Sequence, residues 1–347
     1  MLIWLSKAIN YLVYLILRSF LFLGDFLAMK PTFGVVWLIG NIGYYLAGSR
    51  RRLALENLKI AFGNEKSEKE LRRICRRSFV NLAYSGAEFL FFKRITRNWQ
   101  KHFTFEGAEQ LEECIRNKQA FFVFGGHLGA WMLIAMVPKK FGIRGGVVIR
   151  PQRNPYLHRF LENLVGEFGG VMINTRGTGK VIEQMIMNGE LVGFYMDQSA
   201  KKEQGIPVDF FGLPAYSHVV PGYLAWKHKI PMFPYWMIRK KPGYIHAVYK
   251  PPVEFVYSGD KEEDIKEVTQ RIVKEVEKAI RQYPEQWLWA HNRWKKSLGE
   301  KKKDEEKEKR KREKLAEAGV YLTSYQVIKE MDQEIGEAKD ETGTGSA

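Results

Sequence analysis

From residue 2 to residue 28 the chain reads LIWLSKAINYLVYLILRSFLFLGDFLA, apolar at nearly every position. Its polar residues, Lys7, Asn10, Tyr14, Arg18 and Asp25, recur at helical spacing, so on a helix they share one narrow stripe of an otherwise oily cylinder. A plain membrane span would avoid those charges. The pattern therefore predicts a membrane-associated helix over 1–30 that either lies in the interface or crosses with its stripe turned toward protein. Lys30 and Arg50 to Arg52 flank it and suit anionic headgroups. No small-residue cleavage site follows, and Arg18 interrupts the apolar run, so a removable signal peptide is disfavoured.

Beyond this segment the periodicity changes twice. From 47 to 95 it is helical with strongly basic faces, and Ser67 and Glu70 have capping-box spacing. Between 100 and 255 short β-type runs alternate with helical stretches: AFFVFGG at 120, GGVVIR at 145, LVGFYMD at 191, IPMFPYWMI at 230 and YIHAVYK at 244. Such alternation predicts an α/β fold, a mixed β-sheet flanked by helices, with active loops at strand ends. A further amphipathic helix is expected over 260–282, ending before Pro284. The body thus runs over 31–298. Residues 299–347 read as a charged tail, partly helical or disordered: the run EKKKDEEKEKRKREK from Glu300 has almost no apolar face, while 317–335 could dock as a short helix.

Composition narrows the partners. The 347 residues carry 55 Lys and Arg against 39 Asp and Glu, a net charge of +16 that attracts anionic lipid, nucleic acid or an acidic protein alike. Roughly equal numbers of acids and bases in the tail put that charge on the body. Nine Trp, 22 Phe and 16 Tyr exceed what a core of this size needs and point toward lipid. Two cysteines, Cys75 and Cys114, match no metal-ligand spacing and fit a reducing compartment. No nucleic-acid module is evident.

The strongest chemical signal is FFVFGGHLGAWMLIA at 121–135: a β-type run, a glycine pair, His127, then a small residue opening a helix. A neutral imidazole at a strand end can take a proton from a hydroxyl near neutral pH, and helix N-terminal amides nearby could hold an oxyanion. TRGTGK at 175–180 lacks the spacing of a phosphate loop, which leaves Arg176 and Lys180 as anion-binding candidates or helix caps. His158, His218 and His291 read as packing or surface residues.

Four further segments accompany His127: VVIRPQRNPYLHRFL at 147–161, YMDQSAKKEQGIPVDFFGLPAYS at 195–217, IPMFP at 230–234 and PEQWLWAHNRWK at 284–295. In this order the set resembles the lipid A biosynthesis acyltransferases, within the glycerolipid acyltransferase superfamily, from about residue 5 to 297. The resemblance implies a glycerolipid acyltransferase-like fold at the cytoplasmic face of the inner membrane. It also implies transfer of a fatty acyl chain from acyl carrier protein to a hydroxyl of a lipid A precursor, with His127 as general base and no metal or other cofactor. Arg150 aligns with a position associated with the acceptor's anionic group, Arg153 and Asn154 stand beside it, and Asp197 and Gln198 fill the D-Q segment. Basic patches at Arg50 to Arg52 and Arg72 to Arg77 would attract the acidic carrier and anionic lipid.

One position departs from that pattern. Where the family's H-x4-D/E motif places an acid to orient the imidazole, this chain has Met132, which cannot form a charge-assisted bond; Asp197 is the substitute candidate. Two alternatives follow: another lysolipid or glycolipid acceptor, or a catalytically impaired relative that binds lipid or carrier. Phe210, Phe211 and Gly212 are assigned to packing or an acyl slot. Trp287, Trp289, Arg293 and Trp294 are assigned to a structural closure with interfacial anchoring, Arg293 near phosphate.

Overall fold

The computed structural model describes residues 2–134, 136–174 and 178–295. The tail and Arg176 lie outside the described residues. Four helices come first: α1 (Leu2–Leu23), α2 (Met29–Leu46), α3 (Gly48–Phe62) and α4 (Glu68–Leu90). Two short ones, α5 (Phe92–Arg97) and α6 (Trp99–His102), lead into β1 (Phe103–Glu106) and α7 (Glu109–Arg116). The alternating region follows with β2 (Phe121–Gly125), α8 (Met136–Phe141), β3 (Gly145–Ile149), α9 (Pro155–Gly166), β4 (Gly170–Asn174), α10 (Thr178–Met187) and β5 (Leu191–Tyr195). A hairpin of β6 (Gly205–Phe210) and β7 (Leu213–His218), then α11 (Val220–His228), β8 (Met232–Lys241), β9 (Tyr244–Tyr249) and α12 (Lys261–Gln282) complete it.

Seven strands form one mixed sheet in the order β1-β9-β8-β2-β5-β3-β4, in which β8 and β9 are antiparallel and every other neighbour is parallel. The central strand β2, FFVFG, is buried throughout, as a parallel strand covered on both faces should be. Phe122 and Phe124 face one apolar layer with α3, α11 and α12; Phe121 and Val123 face the other with α7 and α8. Ser67 and Glu70 form the expected capping box on α4, and Asp260 caps α12.

The five β-type runs read from the sequence are β2, β3, β5, β8 and β9. The β6–β7 hairpin escaped that reading because its two-residue turn is Phe211-Gly212, both with positive φ (57° and 78°). Such turns favour Asn-Gly, and an aromatic at the first position hides the signal. Phe211 holds this conformation because its N–H donates to Glu277 Oε2 at 2.8 Å and its ring packs on Phe62 beneath the Arg281 guanidinium. Phe210 and Phe211 are thus packing residues.

α2 was likewise missed, since three glycines, a proline and several β-branched residues depress its helix propensity. It forms by packing antiparallel on α4: Phe33 meets Tyr84 and Phe91 at one end, and Tyr44 meets Phe79 at the other. Over residues 7–23 of α1 the less exposed positions are Asn10, Tyr14, Leu17 and Leu21, a helical stripe turned toward protein and continued by Gly24 just past the helix. Asn10 accepts a hydrogen bond from Asn154 Nδ2 at 2.7 Å, and Tyr14 packs against Tyr156 and Phe160 of α9. Among the described residues no helix is long and apolar enough to cross a membrane.

Candidate active site

Strand register brings two distant segments together. Gly125 of β2 lies opposite Tyr195 of β5, so two residues beyond each strand His127 stands beside Asp197. The Asp197 carboxylate accepts three N–H groups: the His127 backbone at 2.8 Å and its ring Nδ1 at 2.9 Å, and the Trp287 indole at 2.8 Å. Gly126 permits this approach, because a Cβ there would sit 3.2 Å from the Asp197 carboxyl carbon.

Electrostatics fixes the protonation pattern. Burial would raise the Asp197 pKa, but the charged form of His127 and these donors outweigh it and hold the carboxyl down to about 2. An ionised carboxylate on Nδ1 requires the Nδ1–H tautomer, which leaves Nε2 as the basic nitrogen. The His127 side chain is 12% exposed and that of Asp197 2%, so the imidazole meets solvent while the carboxylate does not.

Two aromatics wall the imidazole, Trp131 at 4.5 Å and Tyr195 at 4.7 Å between ring centres. Burial, then the nearby Asp197 charge, raises the Tyr195 phenol, so it stays protonated and donates to the Trp131 carbonyl at 2.8 Å. Gln198 Nε2 lies 3.3 and 3.1 Å from the two ring nitrogens, a position over the ring face, since an in-plane approach between them would collide with Cε1. Met132 is half-buried in a 3₁₀ turn, Trp131–Leu133. The ring nitrogen that an acid at that position would orient is bonded instead to Asp197, which comes from the neighbouring strand.

The backbone amides of residues 127 to 130 are occupied and hold no oxyanion. His127 N–H is bound to Asp197, Leu128 N–H to Gly126 O, Gly129 N–H to Gln286 O and Ala130 N–H to Met237 O. Those bonds strap the loop instead. Gly129 has φ 64°, and a Cβ there would lie 2.0 Å from the Met237 carbonyl oxygen. Its own carbonyl accepts from Ser85 Oγ at 3.0 Å and from Arg239 Nη2 at 3.2 Å. Arg239 is buried in a two-pronged pair with Glu88 of α4, both contacts 2.6 Å, and also reaches Asn81. Sequence reading missed this support. The signal was available: a glutamate inside AEFLFF and an arginine ending an apolar strand are each costly to bury alone.

The other candidates fall along the same edge. Arg150 and Arg153 follow β3 and are exposed, about 10 Å from the His127 strand by two strand spacings. Asn154 caps α9, its Oδ1 accepting from Tyr156 and Leu157 amides while Nδ2 reaches Asn10. The anchoring expectation for the final segment is corrected: Trp287, Trp289, Trp294 and Arg293 are all buried, so none stands at headgroup depth or beside an exposed phosphate. Arg293 donates instead to the carbonyls of Gln198 at 3.0 Å and Tyr216 at 2.6 Å, which fixes the turn carrying Asp197. Burial lowers its pKa to about 10, with Asp197 opposing, so it remains cationic at neutral pH. His291 Nε2 accepts from Ser199 N–H at 3.2 Å, bracing the same turn. Among the described residues no three His, Cys, Asp or Glu side chains converge as a metal site would require.

The sequence profile of the family described as bacterial lipid A biosynthesis acyltransferase matches residues 2–296. A lipid A biosynthesis acyltransferase of Haemophilus influenzae is 24% identical over 264 residues, which span 73% of this chain and 79% of that protein.

Proposed function

Because this chain belongs to the bacterial lipid A biosynthesis acyltransferases, we propose that it moves a fatty acyl chain from acyl carrier protein to a hydroxyl of a lipid A precursor, with His127 as general base. The observation that carries this reading is the buried carboxylate on Nδ1 behind a partly exposed ring. His127 Nε2 takes the proton of the acceptor hydroxyl as its oxygen attacks the thioester carbonyl. The tetrahedral intermediate collapses, the carbon–sulfur bond breaks, and the departing thiolate receives that proton from the imidazolium. The products are an ester and the free carrier thiol. Asp197 stabilises the imidazolium between these transfers without itself being protonated.

Gln198 beside the ring and the Trp131–Tyr195 wall bound the space where acceptor and thioester meet. Arg150 and Arg153 suit a phosphate on the acceptor, at a distance matched to a sugar-sized spacer. The chain attaches to the cytoplasmic face of the inner membrane through exposed apolar side chains of α1, among them Ile9, Leu12, Ile16 and Phe20. Incubating the purified chain with mixed acyl carrier thioesters and candidate acceptors, then identifying lipids by mass spectrometry, tests the reading. Acylated lipid A precursor is the expected product; transfer only to a different lysolipid would refute the acceptor assignment.

A further inference from the structure

Helices α2 and α4 lie antiparallel, and their surface changes character abruptly along the shared axis. Residues 31–46 of α2 contain no Asp, Glu, Lys, Arg or His, and the exposed large side chains there are Val35, Trp37, Leu38, Ile39, Ile42, Tyr45 and Leu46. Facing that stretch, residues 78–90 of α4 hold one ionisable acid, Glu88, which is buried against Arg239. Immediately N-terminal on α4, residues 69–77 contain Lys69, Arg72, Arg73, Arg76 and Arg77.

At this boundary a groove of about 600 Å³ is lined by Tyr44, Tyr45, Lys69, Glu70, Arg72, Arg73 and Arg76, five cations less one carboxylate's charge once Arg51 beside it is counted. The Glu70 carboxylate is engaged by Ser67, and Arg72 pairs with Glu68 at 3.0 Å. Arg51 adds a guanidinium 5.3 Å from the Tyr44 ring centre and donates to the Tyr44 and Tyr45 carbonyls.

We propose that this groove binds the phosphate of an anionic membrane phospholipid while the exposed face of α2 sits among the lipid acyl chains. The inference rests on the membrane-attachment part of the function proposed above and adds a second helix and a headgroup site to it. Guanidinium groups match phosphate geometrically, and Tyr45 at the groove is an amphipathic aromatic of the kind that favours the interface. An acidic protein docked on the same cations would press against the charge-free surface of α2, whereas a bilayer presents phosphate and hydrocarbon in that sequence over the same distance. On this reading α4 joins the two functions. Residues 69–76 meet the headgroups, and Ser85, about 13 Å further along the helix axis from Arg76, holds the loop of His127.

Co-sedimentation of the full chain with vesicles of phosphatidylcholine alone, or with added phosphatidylglycerol, tests this. Arg73 and Arg76 are exposed, so the double variant R73Q/R76Q keeps the fold. It is expected to bind phosphatidylglycerol vesicles roughly thirtyfold more weakly than wild type, with binding to phosphatidylcholine unchanged. Ile42→Asp is expected to weaken binding to both. Inorganic phosphate, against chloride of equal ionic strength, is expected not to displace the chain; displacement would mean a site for soluble phosphate and overturn the proposal. Undiminished binding of R73Q/R76Q to phosphatidylglycerol would overturn it too, as would loss of acyl carrier protein binding with vesicle binding intact, which would assign the groove to the carrier. His127→Ala should bind vesicles like wild type. A wild-type chain that ignored every vesicle would instead remove the membrane attachment itself, and this proposal with it.

Discussion

The carboxylate of Asp197 and the guanidinium of Arg73 live under opposite rules. Asp197 is closed off from water and met by three N–H groups, so its geometry is fixed and the loss of one partner is felt at full strength. Arg73 stands exposed on a helix among other cations, where each charge is screened and acts only as part of a group. In the function proposed here, enclosed charge supplies the chemistry and exposed charge the binding surface. The difference also says where single substitutions should be large and where only multiple ones matter.

The largest effect is expected at the imidazole. His127→Ala should lower turnover roughly a thousandfold, as loss of a general base does, with vesicle binding unchanged. Turnover near wild type would place the chemistry elsewhere and dissolve the contrast between the two regions.

The strap beneath that loop comes next. Glu88→Gln leaves the Arg239 guanidinium buried without its counter-charge, and urea titration should read a loss of about 3 kcal/mol. A loss no larger than a surface substitution would mean that the enclosed region is far more forgiving than its hydrogen bonds suggest.

Asp197→Asn sharpens the comparison through pH. The wild-type carboxyl is held at about 2 against an ordinary 3.8, so ionised Asp197 adds stability that is fully present above the ordinary value and lost as pH falls toward 2. That contribution is about 2 kcal/mol, and unfolding free energies measured across the window should show it in wild type and not in the variant. Turnover should drop about a hundredfold as the orienting charge disappears.

The smallest effect is expected at Met132. With Nδ1 already bonded to Asp197, Met132→Glu should leave turnover within about twofold of wild type in the same transfer assay. A large gain would show that Asp197 orients the ring poorly, and that the missing acid limits this enzyme after all.

Much of the site is legible in the sequence alone. A glycine pair and a histidine after a buried β run mark a strand end, and a D-Q pair after a second such run marks another. What could not be read was adjacency. That β5 lies next to β2, with Gly125 opposite Tyr195, is a property of sheet order, and it makes Asp197 the partner of His127. The tryptophans of the final segment misled for a related reason. Their composition fits an interface as well as a core, and only the packing of Trp287 onto Asp197 distinguishes the two. Nor can the sequence say which carbonyls a loop's amides will meet; here those of Gly129 and Ala130 meet Gln286 and Met237.

By itself the sequence determined the oily first helix with its polar stripe, the α/β alternation, the five central strand segments and the basic cast of the body, because periodicity and charge are local properties. The tertiary structure decided which strands are neighbours, that α2 is a helix held by α4 despite its glycines, that an Arg–Glu pair braces the loop, and that the orienting acid arrives from another strand. Those are outcomes of long-range packing, in which a residue's partner is chosen by the sheet register and not by its distance along the chain.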